Sequence, residues 1–238
     1  MWRRLKSGHI ELYDGTCLPI LYEDRSVLAI DKPAGWLLVP EKWSHTGRNL
    51  QRELMRSLAA GEHWARSRNL KYIRFVHRLD AETTGALLLA KSAGALSALG
   101  RLFETRLVRK TYLAVVAGIP KENAWDCRLK VFEEPGAKGQ MRVDARNGKE
   151  AQTDFRVIQR GAGTALIEAM PHTGRTHQIR VHLAAGGHPV MGDSLYGGPG
   201  REFGLRAVEL CYTDPFVKRA VTVTAPRDEF LRRWRFGP

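Results

Sequence analysis

Asp80 follows a basic pair, His77-Arg78, and precedes the hydroxyl pair Thr83-Thr84, with Gly85 and an apolar run from Ala86 to Ala90 beyond. A single carboxylate at a turn between two strand-like stretches suits an ionised group exposed in a cleft, where it can act as a nucleophile or stabilise positive charge. The same residue types also build an Asx turn or helix cap, with Asp80 accepting from the Thr83 or Thr84 amide, so the segment alone leaves both roles open. Five basic residues, Arg66, Arg68, Lys71, Arg74 and Arg78, lead into it with no acid between Ala65 and Leu79. Such a run is either a solvated face or a lip that binds phosphates, and its position beside Asp80 favours the lip.

These groups need a scaffold. Val27-Leu28-Ala29-Ile30, Ala86 to Ala90, Tyr112 to Ala117, Phe155-Arg156-Val157-Ile158 and Ala165 to Ala169 are short apolar or alternating runs bounded by turn formers, and are expected to be strands. Helices are expected over 49–59, where Leu50, Leu54 and Leu58 share a face, over 93–104, with Leu96, Leu99 and Phe103, and over 177–185. More strands than helices, without regular βαβ alternation, points to an α+β fold around a largely antiparallel sheet. No repeat, low-complexity tract or long linker divides the chain, so a single catalytic unit is expected.

The 238 residues include 38 Lys and Arg against 25 Asp and Glu, a net charge of +13, and this excess favours a polyanionic partner, nucleic acid before membrane. No window approaches the roughly 18 apolar residues needed to cross a bilayer, and Met1 to His9 lacks the apolar core of a signal peptide, so a cytoplasmic location is expected. Cys17, Cys127 and Cys211 are scattered and read as reduced thiols. His172, His177 and His182 invite a metal reading, but five-residue steps advance about 140° around a helix and point successive rings to different sides. No phosphate-binding glycine loop or dinucleotide motif is present either, so neither metal nor cofactor is expected.

Three segments, taken together, resemble the RluA-type pseudouridine synthases. They are His77-Arg78-Leu79-Asp80 with Thr83-Thr84-Gly85; Arg109 to Gly118, reading RKTYLAVVAG; and Gly174 to His182, reading GRTHQIRVH. Asp31-Lys32-Pro33-Ala34-Gly35 before them, and His188 to Asp193 with Tyr196-Gly197 after them, match in the expected order, so the resemblance runs from about Leu21 to Leu210. It implies a catalytic domain over 21–238 behind a short basic extension, residues 1–20, with a cleft between two halves of the sheet. It also implies that the S4-type RNA-binding domain carried by many relatives is missing.

The resemblance assigns roles. Asp80 is implied as the essential aspartate and Arg180 as the cation that keeps it ionised, a planar two-point contact that lysine would not reproduce. Tyr112 shares a strand face with Ala114 and Val116, where an aromatic is usually core; the resemblance makes it the ring that stacks on the target uracil. Arg78 is placed to enter the stack vacated by a flipped base, or to hold a phosphate. Lys32, Arg175 and His177 are expected RNA contacts, and Tyr196 is an aromatic of undecided role. Thr84 stands where many relatives carry serine, keeping the hydroxyl. The expected activity is cofactor-free isomerisation of uridines in ribosomal or transfer RNA by a monomer. The competing expectation is a catalytically silent RNA-binding or ribosome-assembly protein on the same fold; it requires a missing key residue, and Asp80, Tyr112 and Arg180 are all present.

Overall fold

The structure, a computed structural model, describes residues 7–38, 48–134, 136, 139–198, 200 and 202–237. The basic N-terminal residues Arg3, Arg4 and Lys6 lie outside the described residues. The chain divides into two compact units that interleave in sequence: Met1–Val108 with Cys211–Ala225, and Arg109–Leu210 with Pro226–Pro238.

The first unit contains β1 (His9–Glu11), β2 (Cys17–Glu23), β3 (Val27–Lys32), α1 (Leu50–Ala59), α2 (His63–Arg66), β4 (Arg74–Phe75), β5 (Thr84–Ala90) and α3 (Ala93–Glu104). Strands β3 and β5 are near-continuous apolar runs because both faces are covered: Leu28, Ala29, Ile30, Leu87, Leu88 and Leu89 are all fully buried. They pair antiparallel from Val27 opposite Ala90 to Lys32 opposite Gly85, a register that brings Lys32 beside the loop carrying Asp80. Strand β4 pairs on the other edge of β5, so Asp80 sits in the eight-residue connection from Val76 to Thr83. Helices α1 and α3 start where Asn49 and Ser92 accept from the Arg52 and Ala95 amides, each cap worth about 1 kcal/mol, and bury Leu50, Leu54, Ala95 and Leu99.

The second unit contains β6 (Arg109–Ala117), β7 (Ala124–Cys127), β8 (Val131–Glu133), β9 (Met141–Val143), β10 (Thr153–Arg160), β11 (Thr164–Pro171), α4 (Gln178–Ala185) and β12 (Leu205–Thr213), whose last three residues pass into the first unit. There β13 (Ala220–Thr224) pairs with β12, and α5 (Asp228–Arg233) returns the chain to the second unit. The strand order is β12-β6-β11-β10-β7, with β8 and β9 forming a separate hairpin. Its core joins Leu113, Val115, Leu166 and Val208 to Phe230, Leu231 and Phe236 around α5.

The α+β class holds, and the pairings β1–β2, β2–β3, β3–β5, β4–β5, β6–β11, β10–β11, β7–β10 and β8–β9 are all antiparallel. All five expected strands and three expected helices are present. The stretch read as a basic extension supplies β1 and much of β2, with Ile10 and Leu18 fully buried. Tyr112 to Val116 are buried without alternation, so β6 is covered on both faces. Among the described residues no helix is long and apolar enough to cross a membrane.

Candidate active site

Asp80 is half-buried in a loop held almost entirely through its backbone. The Lys32 ammonium donates to the carbonyls of Ala81 at 2.7 Å, Thr83 at 3.0 Å and Pro33 at 3.0 Å, using all three of its N–H groups. Gly35 adds its amide to the same Ala81 carbonyl at 2.8 Å. Its φ of +80° is one that a residue with a Cβ rarely adopts, which explains the glycine in the Asp31 to Gly35 motif. His77 steadies the approach to Asp80: its Nε2 accepts the Leu88 amide at 3.1 Å, and its ring stacks on Phe103 with centroids 4.6 Å apart.

The position of Lys32 corrects an expectation. It was read as an RNA contact, yet its side chain is fully buried. Burial pulls its ammonium down to about 8, against the opposing attraction of the Glu82 and then the Asp80 carboxylate. It is a buried cation near the candidate nucleophile. Its chemistry is to hold the loop and offset negative charge there.

In the second unit α4 carries the other candidates. It begins at His177, whose φ of +52° is uncommon outside glycine but tolerated by histidine. Arg180 is 4 % exposed, and its Nε and Nη2 each lie 2.7 Å from a different oxygen of the fully buried Asp193. That two-point contact fixes the plane of the guanidinium. The ring centroids of Tyr196 and Phe203 each lie 5.1 Å from Arg180 Cζ, so the cation is also held by aromatic faces.

Two residues either side of Arg180, and one turn from each other, Gln178 and His182 lock α4 to its surroundings. Gln178 Oε1 accepts from Thr173 Oγ1 and the Arg175 amide, and its Nε2 donates to the Gln152 carbonyl and Thr153 Oγ1. His182 Nε2 lies 2.9 Å from the Leu129 carbonyl, which can only accept, so Nε2 carries the proton and Nδ1 accepts from Thr153 Oγ1 at 3.0 Å. Burial lowers the His182 pKa, favouring this neutral form. Neither residue, nor Asp193, had been given a role from sequence. The four-residue spacing of Gln178 and His182 was the available signal for a shared helix face.

Tyr112, 9 % exposed, lies on β6 opposite Ala169 of β11. Arg175 is half-buried and donates Nε to the Glu150 carbonyl at 2.9 Å, and His177 Nδ1 takes the Tyr196 hydroxyl at 2.8 Å. The basic run divides. Arg66, Lys71 and Arg78 are exposed, whereas the Arg68 side chain is 2 % exposed and bonds Glu23 Oε2 at 2.9 Å and the carbonyls of Trp64 and Ser7. Arg68 is therefore a structural ion pair and not part of a phosphate-binding lip. Arg74 is half-buried, with its guanidinium over the Tyr72 ring. Among the described residues no group of three or more His, Cys, Asp or Glu side chains is arranged to hold a metal; His172 instead meets Asp154 at 2.6 Å.

The model of the RNA pseudouridylate synthase family matches residues 26–185, a span that includes Asp80, Tyr112 and Arg180. The chain belongs to that family. It is 33% identical over 247 residues to ribosomal large subunit pseudouridine synthase C of Escherichia coli (strain K12), covering 95% of this chain and 72% of that one. It is 33% identical over 219 residues to the dual-specificity RNA pseudouridine synthase RluA of Vibrio cholerae, covering 89% and 83%. Among solved structures, human RNA pseudouridylate synthase domain containing 4 superposes with a TM-score of 0.72 at 25% identity, covering 92% of this chain and 94% of that one.

Proposed function

We propose that this RNA pseudouridine synthase uses Asp80 as its catalytic carboxylate, with Arg180 as the cation that keeps it ionised and Tyr112 stacked on the target uracil, acting as a cofactor-free cytoplasmic monomer. The isomerisation breaks the N1–C1' bond, turns the detached uracil, and joins C5 to C1'. C5 loses a proton and N1 gains one, so no redox partner is required. What the reaction does need is an anion beside the sugar and base that can add covalently or stabilise the charge developing at C1'. The observation that carries this reading is the loop around Asp80: its carbonyls are gathered by a fully buried lysine while the carboxylate stays half-exposed.

The target base must leave its stack, at a cost of a few kcal/mol, and Arg78, exposed two residues before Asp80, supplies a planar cation to fill the gap. Arg66 and Lys71 hold the flanking phosphates. Ribosomal RNA is the substrate class we assign, because it is the class named by the E. coli relative. The test is nucleotide-resolution pseudouridine mapping of RNA treated with purified wild-type protein and with Asp80→Asn. The expected result is discrete sites in ribosomal RNA with the wild type, and a rate lower by about a thousandfold or more with the variant. Wild-type sites confined to transfer RNA would overturn the substrate assignment, and an active Asp80→Asn enzyme would overturn the catalytic one.

A further inference from the structure

Tyr196 joins two parts of the second unit that are far apart in sequence. Its hydroxyl accepts the Met141 amide, the first residue of β9, at 2.8 Å and donates to His177 Nδ1 at 2.8 Å. Its ring lies against the Arg180 guanidinium at 5.1 Å and meets the His177 ring edge-on at 5.7 Å. The backbone around it is equally constrained: the Leu195 and Tyr196 amides both donate to Asp193 Oδ1, the oxygen that also receives Arg180 Nη2. A Cβ added at Gly192 would lie 1.7 Å from the Glu202 carbonyl oxygen, so this turn has a single route through space.

Through its hydroxyl the tyrosine thus also reaches the β8–β9 hairpin. That hairpin borders a cleft of about 840 Å³, lined by Phe132, Glu134, Met141, Asn147, Lys149 and Arg175 among others. We propose that Tyr196 is a positioning residue, through which the hairpin and its cleft set the orientation of Arg180 for the reaction. This rests on the reading of Arg180 as a catalytic group. The phenol suits the task because it accepts a backbone amide and donates to an imidazole at once, while its face bears on the cation. A phenylalanine keeps the face and loses both hydrogen bonds.

The experiment compares wild type, Tyr196→Phe, Arg180→Lys and the double variant on the same RNA, with single-turnover rates at saturating enzyme and RNA affinity measured separately. Tyr196→Phe is expected to lower the rate about tenfold with RNA affinity unchanged, a split that simple loss of folded protein would not produce. In the Arg180→Lys background the same change is expected to have no further effect, because its action runs through the guanidinium. Full activity in Tyr196→Phe, or a tenfold loss that persists in the Arg180→Lys background, overturns the proposal. Wild-type activity in Arg180→Lys overturns instead the catalytic reading of Arg180.

Discussion

The Asp80 loop and helix α4 hold their candidate catalytic groups by opposite means. Around Asp80 the fixed points are backbone carbonyls converging on one ammonium, Lys32. Around Arg180 they are side chains bonded to side chains: Asp193, Gln178, Thr153, Thr173 and His182. The first arrangement centres on one titratable cation, whose positive charge disappears when a proton is lost. The second is distributed, and its histidine must remain neutral, so it weakens when a proton is gained. The first is thus sensitive on the alkaline side and the second on the acid side.

The largest effect is expected at Asp193, whose removal leaves a buried arginine without its carboxylate. Asp193→Ala should cost about 3–5 kcal/mol in denaturant unfolding and abolish activity. A loss below 1 kcal/mol would mean that the network of α4 is more redundant than the contrast requires. Lys32→Met comes next. It takes the ammonium from three carbonyls, of which Ala81 keeps the Gly35 amide, should cost about 2 kcal/mol, and should remove activity even in the fraction that folds.

Lys32 also gives the alkaline limit a sign. Between about 8 and 10.5 the unfolded chain retains a proton that the folded chain has released, so the Lys32 contribution to stability rises with pH, by about 3 kcal/mol in all. Activity is expected to move the other way, falling as pH passes about 8 and Asp80 loses its neighbouring positive charge. Stability that fell along with activity in that window, with the same stability decline in Lys32→Met, would remove Lys32 from the explanation. The smallest effect belongs to His182. Its lowered pKa means that stability declines as pH drops through 6.5, since only the unfolded chain then takes up the proton. Unfolding of wild type and His182→Asn between pH 7 and 5.5 should show the steeper decline in wild type.

Much of this architecture was legible from spacing, and the failures have physical causes. Strands β3 and β5 announced themselves because burial on both faces demands an unbroken apolar run. Strand β12, LRAVELCYT, did not, because Arg206 and Glu209 interrupt its pattern; Arg206 is 8 % exposed and its Nε donates to the Pro226 carbonyl, a contact invisible to hydropathy. The same blindness explains Lys32 and Arg68. A lysine or arginine in a basic, RNA-facing sequence is assigned to the surface by composition, and only the fold reveals three carbonyls or a glutamate waiting for it. Asp193 stood in a quoted motif, but motifs give order along the chain and not which side chains meet. The four-residue step from Gln178 to His182 does carry that kind of information, since it places both side chains on one helix face.

The interleaving of the two units bears on how the polypeptide is made. Residues 1–108 emerge from the ribosome as most of one unit but lack Cys211–Ala225, and the stretch that follows lacks Pro226–Pro238, which brings α5. At about 5–20 residues per second the first unit waits several seconds or more for its closing segment, and the usual N-terminal-first order of folding is denied to it. Both units reach completion almost together, once residues 211–238 have been made. A nascent chain halted anywhere between residues 109 and 210 therefore contains neither unit whole, and partial products offer surveillance proteases two incomplete cores in place of one finished domain.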